Sequence, residues 1–261
     1  MPMPEYKRRQ MEFEDKNRPR YNLEPVRRIP VEQFYAEREY SHGLALLREL
    51  LPLESVKTIL VCGVGAGADL HYWLAHLPLK WCVGLDFSIE AIKASQRVIC
   101  LNDLPAIVGF VKGDFEYIPL KRNSVDLGIF VHTLHHALDP KRGFRELWRV
   151  SRKGVLLIEP LATPITHLFA RLGIARNVEE EGNKVIRFAL QQLLQWAGME
   201  CGAYQNRTYL YYYHPLIYRR LLPIFGSHLG LQMFKFLYGI SNALLIPLHS
   251  KMAAVLLKTD E

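Results

Sequence analysis

Cysteine is scarce in this sequence, and the few cysteines lie far apart. Four occur in 261 residues, and no two of them form a Cys-x-x-Cys pair. This spacing excludes the usual zinc and iron–sulfur arrangements, so we expect no metal site, and it fits thiols that stay reduced in the cytoplasm. The first 20 residues also lack an apolar run. Without such a run we expect no secretory signal, which again predicts a cytoplasmic protein.

Acidic residues are absent from a long C-terminal stretch. No Asp or Glu occurs from Cys201 through Thr259, while the whole chain has a net charge of +7. The apolar segment Leu229–Ile246 in this stretch is interrupted by polar residues, which makes it too polar for a transmembrane helix. It fits a buried cap over a substrate, a dimer face or a helix on a membrane surface, and these alternatives stay open.

Strand-like and helix-like segments alternate through the middle of the chain. Five apolar strand patterns separated by helical patterns fill the segment 58–158, and two further strand patterns follow at 199–213 and 252–257. Such alternation predicts an α/β fold with a Rossmann-like, doubly wound, mostly parallel sheet of seven strands.

The flanking segments predict additions to this core. We expect residues 1–54 to form an N-terminal arm and lid helices, with 1–30 irregular because apolar anchors are few there. Residues 55–261 then form one domain. The less regular segments 161–186 and 214–248 are expected to be insertions that cap the substrate.

A glycine-rich turn carries the main functional signal. Residues 59–69 read ILVCGVGAGAD, so an apolar strand runs into Gly63-x-Gly65-x-Gly67 and then into a helix. Glycines permit a sharp turn and a close approach to a ligand, and Asp86 at the end of the next strand is placed to accept hydrogen bonds from a ribose. The pattern predicts an adenosine-containing cofactor. It also satisfies the looser dinucleotide fingerprint, so an NAD(P)-dependent oxidoreductase stays an alternative.

Four blocks of sequence distinguish between these cofactors. They are ILVCGVGAG at 59–67, GLDFS at 84–88, VKGDF at 111–115 and SVDLGIFVHTLHHALDP at 124–140. Over residues 55–160 the chain resembles the class I S-adenosylmethionine-dependent methyltransferases, in particular the subgroup that acts on small molecules. The resemblance implies S-adenosyl-L-methionine as cofactor.

The resemblance also implies a role for each matching residue at the first two strand ends. Gly63, Gly65 and Gly67 would lie against the methionine part of the cofactor. Asp86 would hold the ribose hydroxyls, and Phe87 would lie beside the adenine.

Further roles follow at the third and fourth strand ends. Asp114 would accept a hydrogen bond from the adenine amino group, with Phe115 packed nearby, and His132 would lie next to the methionine part or the transferred methyl. One position departs from the family pattern, because Val61 stands where an acid usually precedes the first glycine by two residues. A non-catalytic, cofactor-binding relative is therefore a further alternative.

Three residues are candidates for acid–base work on the acceptor. An oxygen or carbon acceptor must lose a proton, and a histidine with a pKa near neutral suits that task. His132 is the first candidate because of its place beside the methyl. His136, which follows the fourth strand, and Glu159, at the end of the fifth, are the others.

Four residues are candidates for contact with the acceptor. Tyr35 and Tyr40 lie in the expected lid helix, His135 follows the fourth strand, and His167 lies in the variable segment after the fifth.

The sequence therefore predicts an enzyme that moves a methyl group from S-adenosylmethionine to an oxygen, nitrogen or carbon atom. Its acceptor is expected to be small and hydrophobic, aromatic or linked to a lipid or glycan, since tyrosines and apolar residues dominate 205–250. No nucleic-acid partner is expected. Peripheral membrane contact through 215–247 and a homodimer stay open.

Overall fold

The computed structural model describes residues 5–17, 30–100, 107–173, 178, 184–211 and 228–259. A seven-stranded sheet lies at its centre. The strands are β1 (Thr58–Cys62), β2 (Trp81–Asp86), β3 (Ile107–Lys112), β4 (Val125–Val131), β5 (Ser151–Pro160), β6 (Cys201–Tyr209) and β7 (Lys251–Lys258).

The strands lie in the order β3-β2-β1-β4-β5-β7-β6. β1 to β5 are parallel, and β7 runs antiparallel to both of its neighbours. The predicted doubly wound, mostly parallel sheet of seven strands is thus confirmed. The order reverses at β1 and β4, which is where open α/β sheets bind their ligands.

Eight α-helices flank the sheet in the described part of the chain, joined by short 3₁₀ turns. They are α1 (Glu5–Asn17), α2 (Pro30–Leu50), α3 (Ala68–His76), α4 (Ile89–Cys100), α5 (Pro140–Val150), α6 (Pro164–Arg171), α7 (Leu190–Ala197) and α8 (His228–Leu244). Within those described residues, no helix is long and apolar enough to cross a bilayer. The part of the predicted insertion 214–248 that precedes α8 lies outside the described residues.

The sheet is buried on both faces. Along β1, Leu60 and Cys62 belong to the apolar cluster under α5 and α7, while Ile59 and Val61 belong to the cluster under α2 and α3. This explains why β1 reads as a continuous apolar run rather than an alternating one.

The expectation of an irregular segment over 1–30 is wrong for residues 5–17, which form α1. Two ion pairs one turn apart, Arg9–Glu5 and Arg8–Glu12, support this helix, and Lys7 anchors it to the domain. Its polar composition concealed this helix, which Lys7 anchors through the carboxylates of Asp114 and Glu116. Residues 18–29 lie outside the described part of the chain.

Candidate functional site

The loops after the strands meet at one edge of the sheet. The Gly63 amide donates to the Leu85 carbonyl at 2.7 Å, and the Gly113 amide donates to the Asp86 carbonyl at 2.9 Å. On the other side of β1, the His132 amide donates to the Ile158 carbonyl at 2.9 Å. The marked residues of β1 to β5 are therefore neighbours, as parallel strands require.

The β1–α3 loop has glycine where no other residue fits. Gly63, Gly65 and Gly67 all have positive φ, at +70°, +51° and +85°. A Cβ on Gly63 would collide with the Thr133 side chain, and one on Gly67 would lie 2.9 Å from the Ser95 Cα. At its glycines the loop thus lies directly against the start of the β4–α5 connection and against α4.

Asp86 closes the other side of this turn. Its carboxylate is buried and accepts from the Gly65 amide at 3.1 Å and from the Ser88 amide at 2.9 Å. Ser88 in turn caps α4 by accepting from the Ala91 amide at 3.1 Å. The acid is therefore fixed beside the glycines, and Phe87 next to it is half-buried.

Asp114, at the end of β3, is already paired with a cation. Lys7 of α1 binds its carboxylate and also binds Glu116 at 2.7 Å. Glu116 is buried and accepts from the Leu138 amide at 2.8 Å. The adjacent Phe115 points away from this edge into the core, where its ring meets Phe130 at 5.3 Å.

His132, after β4, lies in a chain of polar side chains. Its Nε2 is 2.8 Å from the Glu39 carboxylate of α2, and its Nδ1 is 3.0 Å from Lys251 Nζ at the start of β7. Tyr209 at the end of β6 donates to the other oxygen of Glu39 at 3.2 Å. His132 has φ +49°, an uncommon conformation for a non-glycine residue.

Burial and neighbouring charges set the protonation states of Glu39 and Tyr209. Burial alone would raise the pKa of Glu39, but His132, Lys251 and Tyr209 together outweigh burial and lower that pKa below its usual value. Burial and the Glu39 carboxylate both raise the pKa of Tyr209, so its hydroxyl stays protonated and donates. Glu39 is thus an ionised carboxylate at neutral pH, aimed at His132.

Glu159, at the end of β5, is occupied by the segment that follows β4. One oxygen accepts from the amides of Thr133 and Leu134 at 2.9 and 2.7 Å, and the other is 2.6 Å from His135 Nδ1. Burial would raise the pKa of Glu159, but His135, His132 and the Thr133 amide together outweigh burial, and the pKa falls to about 2. Burial lowers the pKa of His136 to about 3.

The residues expected at the acceptor are spread over several places. Tyr35 is buried in an aromatic cluster with Phe234 and Tyr238 of α8. Tyr40 borders a groove of about 660 Å³ between α2 and α3, which reaches the glycine loop at Ala68. His167 is exposed on α6, away from these contacts.

The sequence motifs do not include Glu39, Lys251 or Tyr209, although all three belong to the site. Glu39 follows Tyr35 by one helical turn, so its place on the inner face of α2 was readable from spacing alone. Lys251 reaches His132, and Tyr209 reaches Glu39, only because β7 and β6 are added antiparallel beyond β5. Val61 is fully buried among apolar residues. Within the described ranges, no group of three His, Cys, Asp or Glu residues is placed to hold a metal ion.

Comparison with known proteins agrees with this geometry. Residues 60–158 match the family model described as a methyltransferase domain. The chain is similar to ajmaline N-methyltransferase of Rauvolfia serpentina, with 31% identity over 37% of this chain and 32% of that protein. It is also similar to a demethylmenaquinone methyltransferase of Roseiflexus sp. strain RS-1, with 35% identity over 35% of this chain and 37% of that protein. The matches span well under half the length of these relatives.

Solved structures share the fold over most of the chain. The YcgJ protein of Bacillus subtilis superposes with a TM-score of 0.60 at 17% identity, covering 85% of this chain and all of that one. A phosphoethanolamine N-methyltransferase of Haemonchus contortus, solved with S-adenosylhomocysteine, gives a TM-score of 0.55 at 13% identity over 85% of this chain and 53% of that one.

The matched segment begins within β1 and ends within β5. This part of the sheet carries the glycine loop, Asp86, Asp114 and His132. Sequence match and sheet order point to the same fold, whose cofactor is S-adenosylmethionine. Residues 60–158 match the methyltransferase-domain family, and the chain has the fold of the class I S-adenosylmethionine-dependent methyltransferases.

Proposed function

We propose that this protein transfers a methyl group from S-adenosylmethionine to a small, hydrophobic acceptor. The observation that carries the proposal is the edge of the sheet where the glycine turn, Asp86 and His132 lie within the matched segment. The match of residues 60–158 to a methyltransferase domain favours methyl transfer over the oxidoreductase alternative. The non-catalytic alternative is left to experiment.

The residues of the edge fit this cofactor. The positive-φ glycines let the loop turn sharply, which forms a backbone cradle that a ligand can approach closely. Asp86 is buried and ionisable beside that cradle, which suits two ribose hydroxyls. Asp114 would meet the adenine amino group after releasing Lys7. When bound, the cofactor supplies a methyl on a sulfonium centre.

His132 is proposed to be the proton acceptor. Glu39 is ionised and can only accept a hydrogen bond, so Nε2 of His132 carries a proton and Nδ1 keeps its lone pair. Lys251 donates a hydrogen bond to Nδ1 in the structure. During the reaction Lys251 would give up this contact, and Nδ1 would take the proton from the methyl acceptor. The Glu39 carboxylate then stabilises the imidazolium that forms.

Glu159 and His135 are proposed to position this segment rather than to touch the acceptor. Both oxygens of Glu159 are engaged by the residues that follow His132, so it holds the turn that presents His132. His136 is neutral at physiological pH because its pKa is about 3. It is a weak base there, so we favour His132 for catalysis.

The acceptor side is proposed to be aromatic and apolar. Tyr211 packs against Tyr35 with ring centroids 5.0 Å apart, and Lys251 Nζ is 5.1 Å from the Tyr211 ring centroid. An apolar acceptor would thus reach His132 along the aromatic wall made by Tyr35, Tyr211 and α8. Relatives named for ajmaline and for demethylmenaquinone agree with a small organic acceptor. The cytoplasmic location and a homodimer stay predictions of the sequence.

Labelled methyl transfer tests the proposal. The protein is incubated with cofactor carrying a labelled methyl and a cell extract, which is then separated into lipid, small-molecule, protein and nucleic-acid fractions. We expect label in the lipid or small-molecule fraction, roughly 100-fold less with His132→Asn, and no change with His76→Asn, an exposed histidine. Binding of S-adenosylhomocysteine without label in any fraction would favour the non-catalytic alternative.

A further inference from the structure

A continuous apolar stripe lies on the outer side of α8. Its side chains are between 41% and 73% exposed, although all are large and hydrophobic. The stripe consists of Leu229, Met233, Phe236, Leu237, Ile240 and Leu244. Positions three, four, seven and eight apart share one side of a helix, so these six side chains form a single surface.

The opposite side of α8 is already occupied. Gly230, Phe234 and Tyr238 are buried there, and Tyr238 donates to the Leu210 carbonyl at 2.9 Å. Phe234 and Tyr238 both pack on the Tyr35 ring of α2, at 5.7 and 5.3 Å between centroids. The helix therefore has one apolar side that holds it to the domain and a second that faces outward.

An outward apolar surface of this size indicates an interaction site. Single exposed apolar residues are ordinary on protein surfaces, but contiguous patches mark sites of interaction. The patch extends past the helix through Leu245 and Ile246, which are 41% and 61% exposed. No acidic side chain occurs anywhere in α8, and its one charged residue is Lys235.

The positive charge of the surrounding sequence favours an anionic partner over a second copy of the chain. Residues 201–259 contain six Lys or Arg and no Asp or Glu, and Arg219 and Arg220 come just before α8 in the sequence. Two copies of such a segment would repel each other, whereas anionic headgroups would attract it. Helices that lie in the headgroup region of a bilayer also combine an apolar stripe with cationic residues.

We propose that this stripe of α8 docks the protein on the surface of an anionic lipid bilayer. Docking does not depend on the proposed methyl transfer, but it places the acceptor side of the site near the lipid. The inner side of α8 packs on Tyr35, and one turn along α2 Glu39 binds His132. An apolar acceptor dissolved in the bilayer would thus approach His132 beside α8.

Flotation with lipid vesicles tests docking on the full chain. We expect the protein to float with vesicles of phosphatidylcholine mixed with phosphatidylserine, less with phosphatidylcholine alone, and less at high salt. The double variant Met233→Glu, Phe236→Glu removes two apolar groups from the stripe and should bind anionic vesicles at least roughly tenfold more weakly. Both residues are exposed, so folding should persist, and thermal unfolding checks this.

The matched control is Met199→Glu, which changes a methionine that is 99% exposed in the turn before β6. It should float as the unchanged protein does. Absence of flotation with anionic vesicles would overturn the proposal. So would a dimer in sedimentation without lipid that Met233→Glu, Phe236→Glu converts to monomer, since the stripe would then be an interface between copies.

Discussion

His132 combines two features that seldom occur together at a structural residue. Its backbone has φ +49°, and its ring joins a buried carboxylate to a lysine. Strained backbone positions of this kind persist where the surroundings hold them and cluster at functional sites. The motif marked His132, but only the fold supplies Glu39 and Lys251.

Glu39→Gln tests whether the carboxylate tunes His132. The amide keeps the size of the side chain but removes the charge that would stabilise the imidazolium, so methyl transfer should fall roughly tenfold while binding of S-adenosylhomocysteine stays the same. Labelled methyl transfer and calorimetric titration measure the two effects. Glu49→Gln, an exposed change on the same helix, should alter neither. Unchanged methyl transfer by Glu39→Gln would contradict the role of this pairing.

Among the elements, the β1–α3 loop is the least tolerant of change. Gly67→Ala introduces a Cβ at φ +85° that lies 2.9 Å from the Ser95 Cα, so we expect a loss of about 2 kcal/mol or more of unfolding free energy. Gly173→Ala is the control, because its φ is +69° but no atom lies within 4 Å of the added Cβ. It should cost about 1 kcal/mol. Urea unfolding compares them, and equal losses would refute the close packing.

Helix α1 is predicted to compete with the cofactor. Lys7 occupies the Asp114 carboxylate that the adenine amino group would need, so Lys7→Met should tighten the binding of S-adenosylhomocysteine roughly three- to tenfold. Arg8→Met, an exposed change one residue further, serves as the control. Weaker binding by Lys7→Met, measured by calorimetry, would instead make α1 a lid that holds the cofactor.

Elements with apolar periodicity were predictable, and those held by other forces were not. β1 and β4 were predictable because four of the five residues of β1 and all seven of β4 are buried, which makes each an apolar run. Helix α3 begins at Ala68, since Gly67 keeps positive φ and stays in the loop. Helix α1 is mostly polar, and its anchor, Lys7, binds a carboxylate more than 100 residues away, so no local pattern predicted it.

At the scale of the whole molecule, topology decides which residues meet. The glycines, Asp86 and His132 share an edge because parallel strands end together, which the sequence pattern implied. β7 pairs antiparallel with β5 so that Lys251 lies opposite Pro160, and β6 pairs so that Tyr209 lies opposite Lys251. No local signal in the chain encodes that pairing, so half of the His132 environment emerged only from the structure.

Global stability should depend on pH through buried His42. This ring stacks on Tyr209 at 4.8 Å, and burial lowers its pKa from 6.5 to about 4. Above pH 6.5 the His42 ring is neutral in both the folded and the unfolded state. Between about pH 4 and pH 6.5 only the unfolded state takes up a proton on this ring. Stability is therefore lost as pH falls through this range, by on the order of 2 kcal/mol at about pH 5.

His42→Phe should remove that loss. Its advantage in urea unfolding over the unchanged protein should grow as pH falls from about 7 to about 5, since phenylalanine does not titrate. His76→Phe, at an exposed histidine, should leave the pH dependence as it is. An advantage that stays constant with pH would contradict a buried, neutral His42.

The central claim is that the glycine turn and Asp86 hold S-adenosylmethionine, and calorimetric titration with S-adenosylhomocysteine tests it most directly. We predict saturable binding of one equivalent, no binding of NAD, and roughly 10- to 100-fold weaker binding of S-adenosylhomocysteine by Asp86→Asn, which loses charged hydrogen bonds to the ribose. Asp139→Asn, an exposed cap of α5, should bind as the unchanged protein does. Binding of NAD, or unchanged binding by Asp86→Asn, would contradict the account.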